Sequence, residues 1–288
     1  MPSIVIPAHN EAAVIGRTLS ALLADALVGE FEVVVIPNGC TDATGDVARA
    51  FEPVVTVVEV DRPSKVAALN AGDQHAQSFP RLYLDADIPL PTSVARALAA
   101  ALDVPEPRLA LPTAQFDYTG CSWLVRTYLK TSALLSRDRD DAGGSGVYGL
   151  NRAARSRFSA FPDLTGDDLF VDRLFRGEER LRIPDVVTVA PPRHLTALFA
   201  VRTRVYTGNL EYAASVRGAA VAHGAFDPFL RLARRPSAWP GLAVYLVVSV
   251  AAKIAARRRL VRGGQQGQWL RDESSRRPHS GPTGEPTQ

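Results

Sequence analysis

The sequence predicts an α/β protein built on a mostly parallel sheet that helices cover on both faces. Short apolar runs alternate with helical patterns through the first 113 residues, and no internal repeat is found. Strands and helices that alternate at this spacing form parallel sheets, because each helix carries the chain back across the sheet. The 288 residues also provide ample length for a buried core.

Strands and helices can be placed in order along the N-terminal part. Each apolar run is closed by a turn signal or a polar residue, which predicts strands over residues 3–7, 31–36, 54–60, 81–85 and 109–113. The helical patterns between them cover residues 11–27, a segment that ends at 51, 65–77 and 92–102. The first three helices are preceded by residue types that cap helices, namely Asn10, Thr41 or Asp42, and Ser64.

Charge and cysteine content narrow the class of protein. The net charge is only +3, and no nucleic-acid partner is predicted. Cys40 and Cys121 lie far apart and match neither a metal-ligand nor a disulfide spacing, which fits a reducing, cytoplasmic location. We expect no signal peptide, because the chain enters a strand at residue 3.

Two carboxylates follow the fourth predicted strand. Alternate residues of a strand point to the same side, so Asp85 and Asp87 converge beyond the strand's end. Ligands of open α/β sheets lie at such ends. Two carboxylates there suit a hard divalent cation such as Mg²⁺ or Mn²⁺. An acidic loop after a strand is common, so the metal site depends on the rest of the chain.

Five segments of the chain match the signatures of a known family, in the right order. They read IVIPAHNE at 4–11, PNGCTDAT at 37–44, KVAALNAG at 65–72, LDAD at 84–87 and TGDD at 165–168. These segments resemble glycosyltransferase family 2, the inverting enzymes of the GT-A fold. The resemblance covers about residues 1–225. It implies a GT-A (nucleotide-diphospho-sugar transferase) fold, and transfer of a sugar from a nucleotide donor with inversion at the anomeric carbon.

The resemblance implies a catalytic pair and a metal site. Asp168 would be the general base and Asp167 an orienting or acceptor-binding group, although adjacent acids at a helix start often only cap the helix. The family usually has Glu before the Asp, so Asp167 is a shortened version. Asp87 would hold the cation with Asp85 nearby. His194 would be a third metal ligand, whereas a lone histidine is more often a packed or surface residue.

The resemblance also implies a nucleotide site at the loop after the first strand, where a helix N-terminus favours phosphate. For Asn10 the alternative is a plain helix cap. A Gly-rich segment at Gly144, Ser145 and Gly146 would lie beside the donor sugar and acceptor, or else form a surface loop. The implied nucleotide-binding residues are Pro7, Ala8, Asn10, Glu11, Asn38, Lys65, Asn70, Asp85 and Arg204.

Two departures from the family pattern bear on the donor and the product. Asn38 stands where relatives that use UDP-sugars have an acid, so UDP is favoured while a guanine or thymine nucleotide stays open. The Gln-x-x-Arg-Trp motif of processive relatives is missing, which predicts transfer of a single sugar. Arg202 and Arg204 are expected either to bind the diphosphate or to form an ordinary basic helix surface.

The C-terminal part differs in composition from the rest. We predict a catalytic domain over 1–225 (a nucleotide-binding half, 1–113, and an acceptor half, 114–225), a basic and apolar helical extension over 226–271, and a disordered tail over 272–288. The apolar run 242–252 is shorter than the ~20 residues that span a bilayer. Its basic flanks predict a helix at the anionic inner face of the cell membrane, and with it a lipid-linked acceptor. The alternatives are a helix packed on the catalytic domain and, after it, a helix that spans the membrane.

Three other classes of protein were weighed. A catalytically silent relative that serves as a binding module is disfavoured, because Asp85, Asp87 and Asp168 are all present. A sugar nucleotidyltransferase would need a Gly-rich basic loop after the first strand, where this chain has AHNE at 8–11. A dinucleotide-dependent dehydrogenase is excluded, since no G-x-G-x-x-G follows that strand.

Overall fold

The computed structural model describes residues 1–136, 145–215 and 226–261 of the chain. A seven-stranded sheet runs through this part. Its strands are β1 (Ser3–Ala8), β2 (Glu32–Pro37), β3 (Val55–Val57), β4 (Arg81–Leu84), β5 (Leu109–Phe116), β6 (Val147–Leu150) and β7 (Arg180–Val189). The helices are α1 (Ile15–Leu23), α2 (Thr44–Arg49), α3 (Lys65–His75), α4 (Thr92–Ala101), α5 (Trp123–Ser136), α6 (Arg152–Arg155), α7 (Asp167–Asp172), α8 (Leu195–Ser215), α9 (Phe226–Ala233) and α10 (Trp239–Val261).

The strand order is β3-β2-β1-β4-β6-β5-β7, and every pairing is parallel except those of β6. The carboxyl ends of β1, β2 and β4 therefore lie side by side along one edge of the sheet. Because β6 runs the opposite way, its first residues reach the same edge. The predicted α/β class with a mostly parallel sheet is confirmed.

The sheet is buried on both faces. Neighbouring residues of β1 belong to different cores: Ile4 and Ile6 pack in one hydrophobic cluster, and Val5 packs in the other. The same alternation holds in β2, where Val33 and Val35 face one cluster and Val34 faces the other. Side chains of a strand alternate between faces, so a strand with helices on both sides reads as one continuous apolar run.

The predicted elements differ from the observed ones mainly at their ends. The third strand is shorter than predicted, with a separate bridge from Asn38 to Val60, and β5 extends to Phe116. Ser64 caps α3 as predicted, since its side chain accepts from the Ala67 N–H at 3.2 Å. The first helix begins at Ile15 and ends at Leu23, inside the predicted 11–27, and no side chain caps it. The predicted Asn10 cap is therefore wrong.

A layer of helices packs beside the sheet, and α10 is its longest member. The helix has 23 residues, about twice the apolar run from which it was predicted. Residues 236–261 are long and apolar enough to cross a membrane, by length and composition alone. One face of α10 packs against α5 and α8, where Tyr128 stacks on Tyr245 and its hydroxyl lies 3.3 Å from the Ser249 hydroxyl. The apolar run 242–252 was predicted to be too short to cross a bilayer. That prediction is wrong as regards length, because the helix extends well beyond the run at both ends.

Candidate active site

The acidic loop after β4 carries two acids that solvent can reach. Asp85 and Asp87 are both partly exposed, while Ala86 between them is 4% exposed and packs into the core. Both acids follow the last residue of β4, at the edge of the sheet where β1, β2 and β4 end. This is the position at which open α/β sheets bind ligands.

Lys65 joins this loop to the second acidic segment. Its Nζ lies 2.8 Å from Asp85 Oδ1 and 2.9 Å from Asp167 Oδ1, so one ammonium group bridges two carboxylates that are far apart in sequence. Lys65 is the first residue of α3, and the Ser64 cap fixes the start of that helix. The end of β4, the start of α3 and the start of α7 thus meet at one point, which we call the Lys65 cluster.

The electrostatics of the Lys65 cluster favour a charged lysine. Burial alone would lower the pKa of Lys65, but the negative charges of Asp167 and Asp85 outweigh it and raise that pKa. The ammonium form is therefore held over the whole physiological pH range. One ammonium group offsets only part of the charge of the three carboxylates around it, Asp85, Asp167 and Asp168, so the cluster as a whole favours a cation beside it.

The two adjacent acids of α7 have different surroundings. Asp167 is 6% exposed, and both of its oxygens are engaged, Oδ1 by Lys65 and Oδ2 by the Tyr148 hydroxyl, which donates at 3.3 Å. Within the described part of the chain, the Asp168 carboxylate accepts a single hydrogen bond, from the Leu169 N–H at 2.8 Å. Asp167 is therefore held in place, whereas Asp168 keeps acceptor capacity.

The acidity of Asp168 is shifted in the direction that a general base requires. Burial and the neighbouring charge of Asp167 raise its pKa above the usual aspartate value, and Lys65 opposes part of that rise. A carboxylate with a raised pKa is a stronger base than an exposed aspartate. Neither Asp167 nor Thr165 caps helix α7 with its side chain. Gly166 occupies the N-cap position, and no side chain caps the helix.

Tyr148 is a site residue that sequence reasoning missed. It lies in β6, is 6% exposed, and stacks on Tyr83 with ring centroids 5.0 Å apart. Burial, and after it the charge of Asp167, raise the pKa of its hydroxyl well above the usual value, so it stays a protonated donor. The only signal in the sequence is its place directly after the Gly-rich segment.

The Gly-rich segment contacts the acidic loop through its backbone. The Asp85 N–H donates to the Gly146 carbonyl at 2.8 Å, and Gly146 has φ +67°, a conformation that suits glycine. A Cβ there would lie 2.5 Å from Ile88 Cγ1 and 3.3 Å from Asp85 Oδ2. Ser145 is buried and donates to the Val147 carbonyl, so its hydroxyl supports the loop. Gly144 lies outside the described residues.

The loop after β1 is tied to the loop after β2. Asn10 has φ +54°, and its Oδ1 accepts from the Thr41 N–H at 2.6 Å. The Glu11 N–H donates to Thr44 Oγ1 at 2.7 Å, and the Glu11 side chain is buried. Pro7 and Ala8, the last two residues of strand β1, are buried. These contacts fix the shape of the loop where a nucleotide is predicted.

Asn38 lies beneath this loop and is fully buried. Its Nδ2 donates to the Ala8 carbonyl at 2.8 Å, and its Oδ1 has no hydrogen-bond partner among the described residues. Through this hydrogen bond to Ala8, the Asn38 side chain links the end of β1 to the residue that follows β2. A buried acceptor without a partner costs about 1–3 kcal/mol, so this oxygen is a place where a donor N–H would be favoured.

Three residues that the resemblance assigned to ligands have other surroundings. The side-chain amide of Asn70 donates to the Phe161 carbonyl through Nδ2 and accepts from the Phe161 N–H through Oδ1, so it holds the backbone at Phe161 in place. His194 is exposed just before α8, and the described residues contain no group of three His, Cys, Asp or Glu that could hold a metal. Arg202 packs over the rings of Tyr128 and Tyr206 rather than toward a diphosphate. Arg204 lies on the same helix and is partly buried.

The donor set at the end of β4 fits a hard cation that is shared with a ligand. One oxygen of Asp85 contacts Lys65, and the carboxylates of Asp85 and Asp87 are the oxygen donors that this loop carries. Mg²⁺ and similar cations are commonly held by one or two carboxylates together with substrate phosphates and water. Two carboxylates therefore suffice where a diphosphate supplies further oxygens.

Comparison with known proteins agrees with this geometry. The glycosyl transferase family 2 model matches residues 3–158. Validoxylamine A glucosyltransferase of Streptomyces hygroscopicus subsp. jinggangensis is 36% identical over 110 residues, which are 36% of this chain and 26% of that protein. The chain thus aligns with about a quarter of the length of this curated relative.

Solved structures share the fold. The mannosyltransferase PcManGT of Pyrobaculum calidifontis, in complex with GDP-Man and Mn²⁺, superposes with a TM-score of 0.57 at 20% identity, over 91% of this chain and 74% of that one. Glucosyl-3-phosphoglycerate synthase of Mycobacterium tuberculosis, in complex with Mn²⁺, UDP and glucosyl-3-phosphoglycerate, has a TM-score of 0.51 at 22% identity, over 74% and 80% of the two chains. The present chain carries the family's sequence signatures, has the GT-A architecture and is matched by the family model over residues 3–158. It therefore belongs to glycosyl transferase family 2.

Proposed function

We propose that the chain is an inverting glycosyltransferase that moves a single sugar from a nucleotide-diphosphate donor to an acceptor hydroxyl. The observation that carries the proposal is the Lys65 cluster. One lysine holds together the acidic loop at the sheet edge and the acidic pair of α7. A transferase of this kind needs a diphosphate site and a general base within one sugar's reach of each other, and the cluster brings the candidate residues for both together.

The reaction assigns a different task to each acid of α7. The acceptor oxygen forms a bond to the anomeric carbon on the face opposite the leaving group, and its proton passes to the Asp168 carboxylate. The bond between the anomeric carbon and the diphosphate oxygen breaks, and its electron pair leaves with the nucleoside diphosphate. Asp167, held by Lys65 and Tyr148, keeps the start of α7 in position for this transfer.

The leaving diphosphate requires positive charge. Lys65 supplies a resident cation near the site, and Asp87 with Asp85 would hold Mg²⁺ or Mn²⁺. When bound, the divalent ion offsets the negative charge that develops on the diphosphate. Two structures of the same fold contain Mn²⁺ with a nucleotide, which supports a metal-assisted reaction here.

We infer a UDP-sugar as the favoured donor from the family resemblance. The partnerless Oδ1 of Asn38 would accept a hydrogen bond, and the N3–H of uracil donates one, as do the imino groups of thymine and guanine. GDP- and dTDP-sugars are therefore the competing donors. The reaction is assigned to the cytoplasmic side, and its acceptor is a hydroxyl, with a lipid-linked carrier as the favoured class.

A donor panel tests the proposal. Purified protein is incubated with UDP-, GDP- and dTDP-sugars with Mn²⁺ or with a chelator, and both thermal stabilisation and release of nucleoside diphosphate are measured. We expect stabilisation and slow donor hydrolysis with one nucleotide class, both lost with the chelator. Asp87→Ala should bind the donor weakly and release no product, while its melting temperature without ligand is unchanged. Stabilisation by a donor without any turnover, with every acceptor offered, would instead indicate a silent binding module.

A further inference from the structure

The last helix, α10, is apolar on two opposite faces. One face is buried against α5 and α8, through Leu242, Val248, Ala252 and Ala256. A helix that is apolar all round belongs either in a protein core or in a lipid phase. The opposite face of α10 therefore calls for an apolar environment of its own.

That opposite face is exposed. It consists of six large apolar side chains, which we call the α10 stripe: Trp239, Leu246, Val247, Val250, Ile254 and Val261. Apart from the adjacent Leu246 and Val247, successive members are three, four or seven residues apart, which places the stripe along one side of the helix. Val247 is 69% exposed and Val261 is 87% exposed, and nothing within residues 1–136, 145–215 and 226–261 covers the stripe.

Positive charge surrounds the α10 stripe. Residues 226–261 contain seven basic residues and one acidic residue. Arg231, Arg234 and Arg235 precede the stripe, and Lys253 with the arginines at 257–259 lies toward its other end. Trp239 marks the first turn; its indole N–H donates to the Ala233 carbonyl at 2.9 Å, so the exposed part of the ring is apolar. This combination of apolar contact, aromatic edge and basic flanks is complementary to an anionic lipid surface.

The packing of α10 argues against a membrane-spanning helix. Its covered face runs from Leu242 to Ala256, about four helical turns, and lies against α5 and α8. Arg202 of α8 packs in this interface, and Lys253 Nζ lies 5.4 Å from the Tyr206 ring centre. A helix that crossed the bilayer would carry these charged neighbours into the hydrocarbon, which is strongly unfavourable.

We propose that the α10 stripe docks the protein on the surface of an anionic phospholipid bilayer, with α10 lying in the plane of the interface. The stripe enters the boundary between headgroups and acyl chains, and the flanking arginines contact lipid phosphates. The occupant is the bilayer itself. A second copy of the chain is disfavoured as the occupant, because two such surfaces would bring like charges together.

The docking surface is connected to the candidate active site through α8. At Tyr206 this helix packs beside α10, and farther along, Glu211 Oε2 accepts from the Thr165 N–H at 3.0 Å, two residues before Asp167. Docking would therefore hold the start of α7, with the acids Asp167 and Asp168, close to the bilayer. This step rests on the proposed function, and it predicts an acceptor whose hydroxyl is carried by a lipid.

Vesicle co-sedimentation of the full chain tests the docking without donor or metal, so its outcome is independent of transferase activity. We expect the protein to bind phosphatidylcholine vesicles that contain phosphatidylglycerol, and to bind pure phosphatidylcholine at least about tenfold more weakly. Raising the salt from ~0.1 M to ~1 M shortens the Debye length from about 10 Å to about 3 Å and should release most of the protein. Binding that is undiminished at ~1 M salt would overturn the proposal, because the basic flanks would then contribute nothing.

Matched variants assign the effect to the stripe. Val247→Glu combined with Val250→Glu should lower binding to anionic vesicles by about tenfold or more. The double variant loses two apolar side chains that would otherwise enter the bilayer on docking. The same pair of changes at Val28 and Val54, which are both exposed and far from α10 in sequence, should leave binding unchanged. An unchanged melting temperature confirms that each variant is folded. Equal binding of both variants, or a dimer without vesicle binding in light scattering, would refute the docking.

Discussion

Replacing Lys65 by Met removes the charge that holds the candidate active site together. Its Nζ lies 2.8 Å and 2.9 Å from two carboxylate oxygens. At an effective dielectric constant of about 20, Coulomb's law gives each contact roughly 6 kcal/mol, much of it offset by the cost of removing the charges from water. The Asp85 side chain is 40% exposed, so solvent screens its attraction to Lys65. The Asp167 side chain is 6% exposed, so its attraction to Lys65 is screened much less.

We therefore expect Lys65→Met to lower the free energy of unfolding by about 3–5 kcal/mol, the usual cost of leaving a buried charge without its partner. For a chain of this size each kcal/mol shifts the melting temperature by about 2–4 °C, so calorimetry should record a fall of roughly 6–20 °C. Lys130→Met, at an exposed position of α5, is the matched control and should shift it by less than about 2 °C.

The pH dependence gives this prediction a second readout. Lys65 lowers the pKa of Asp168, which burial has already raised, so its removal raises that pKa further. A carboxyl whose pKa is higher in the folded than in the unfolded state gains stability as pH falls. The gap between wild type and Lys65→Met should therefore narrow toward acidic pH. A melting temperature within about 2 °C of wild type, or a gap that widens toward acidic pH, would refute this electrostatic reasoning.

Three further predictions test separate contacts. Donor hydrolysis should decline on the acidic side of neutral pH as Asp168 takes up a proton, at a higher pH than the aspartate value of about 3.9, and Asp168→Asn should lose this limb; a limb that persists in the variant belongs to another group. Gly146→Ala should destabilise the chain by about 1–3 kcal/mol and reduce turnover, because its Cβ would overlap the acidic loop, whereas Gly29→Ala has a similar positive φ but open space and should cost less in denaturant melts; equal costs would contradict the overlap. Asp73→Ala should cost about 3–5 kcal/mol by leaving two buried arginines unpaired, while Asp46→Ala, at an exposed ion pair, should cost at most about 1 kcal/mol, as chemical denaturation would record.

The sheet was predictable because its signals are local. Apolar runs closed by turn residues mark each strand, and alternation with helical patterns indicates parallel pairing. Neither β6 nor β7 was identified as part of this sheet; the four residues of the antiparallel β6 follow a glycine run and carry little periodic signal. The first helix was predicted to begin four residues early, because Asn10 looks like a cap in sequence but binds the Thr41 backbone in the folded chain. That contact depends on tertiary structure.

The same distinction holds at the site. The family signatures identify Asp85, Asp167 and Asp168, but nothing in the sequence says that Lys65 bridges the first two or that Tyr148 donates to the second. The length of α10 was underestimated because basic residues end its apolar run. Lysine, arginine and alanine are good helix formers, so the helix continues to Val261.

The most direct test of the central claim compares Asp168→Asn with Asp167→Asn in one assay. Release of nucleoside diphosphate is measured with Mn²⁺ and the donor that stabilises the wild type, and nucleotide affinity is measured by calorimetry on the same samples. We predict that Asp168→Asn binds the nucleotide like wild type but turns over about 10²–10⁴-fold more slowly, the scale of general base catalysis. Wild-type turnover in Asp168→Asn, with the loss found in Asp167→Asn instead, would contradict the assignment of the base.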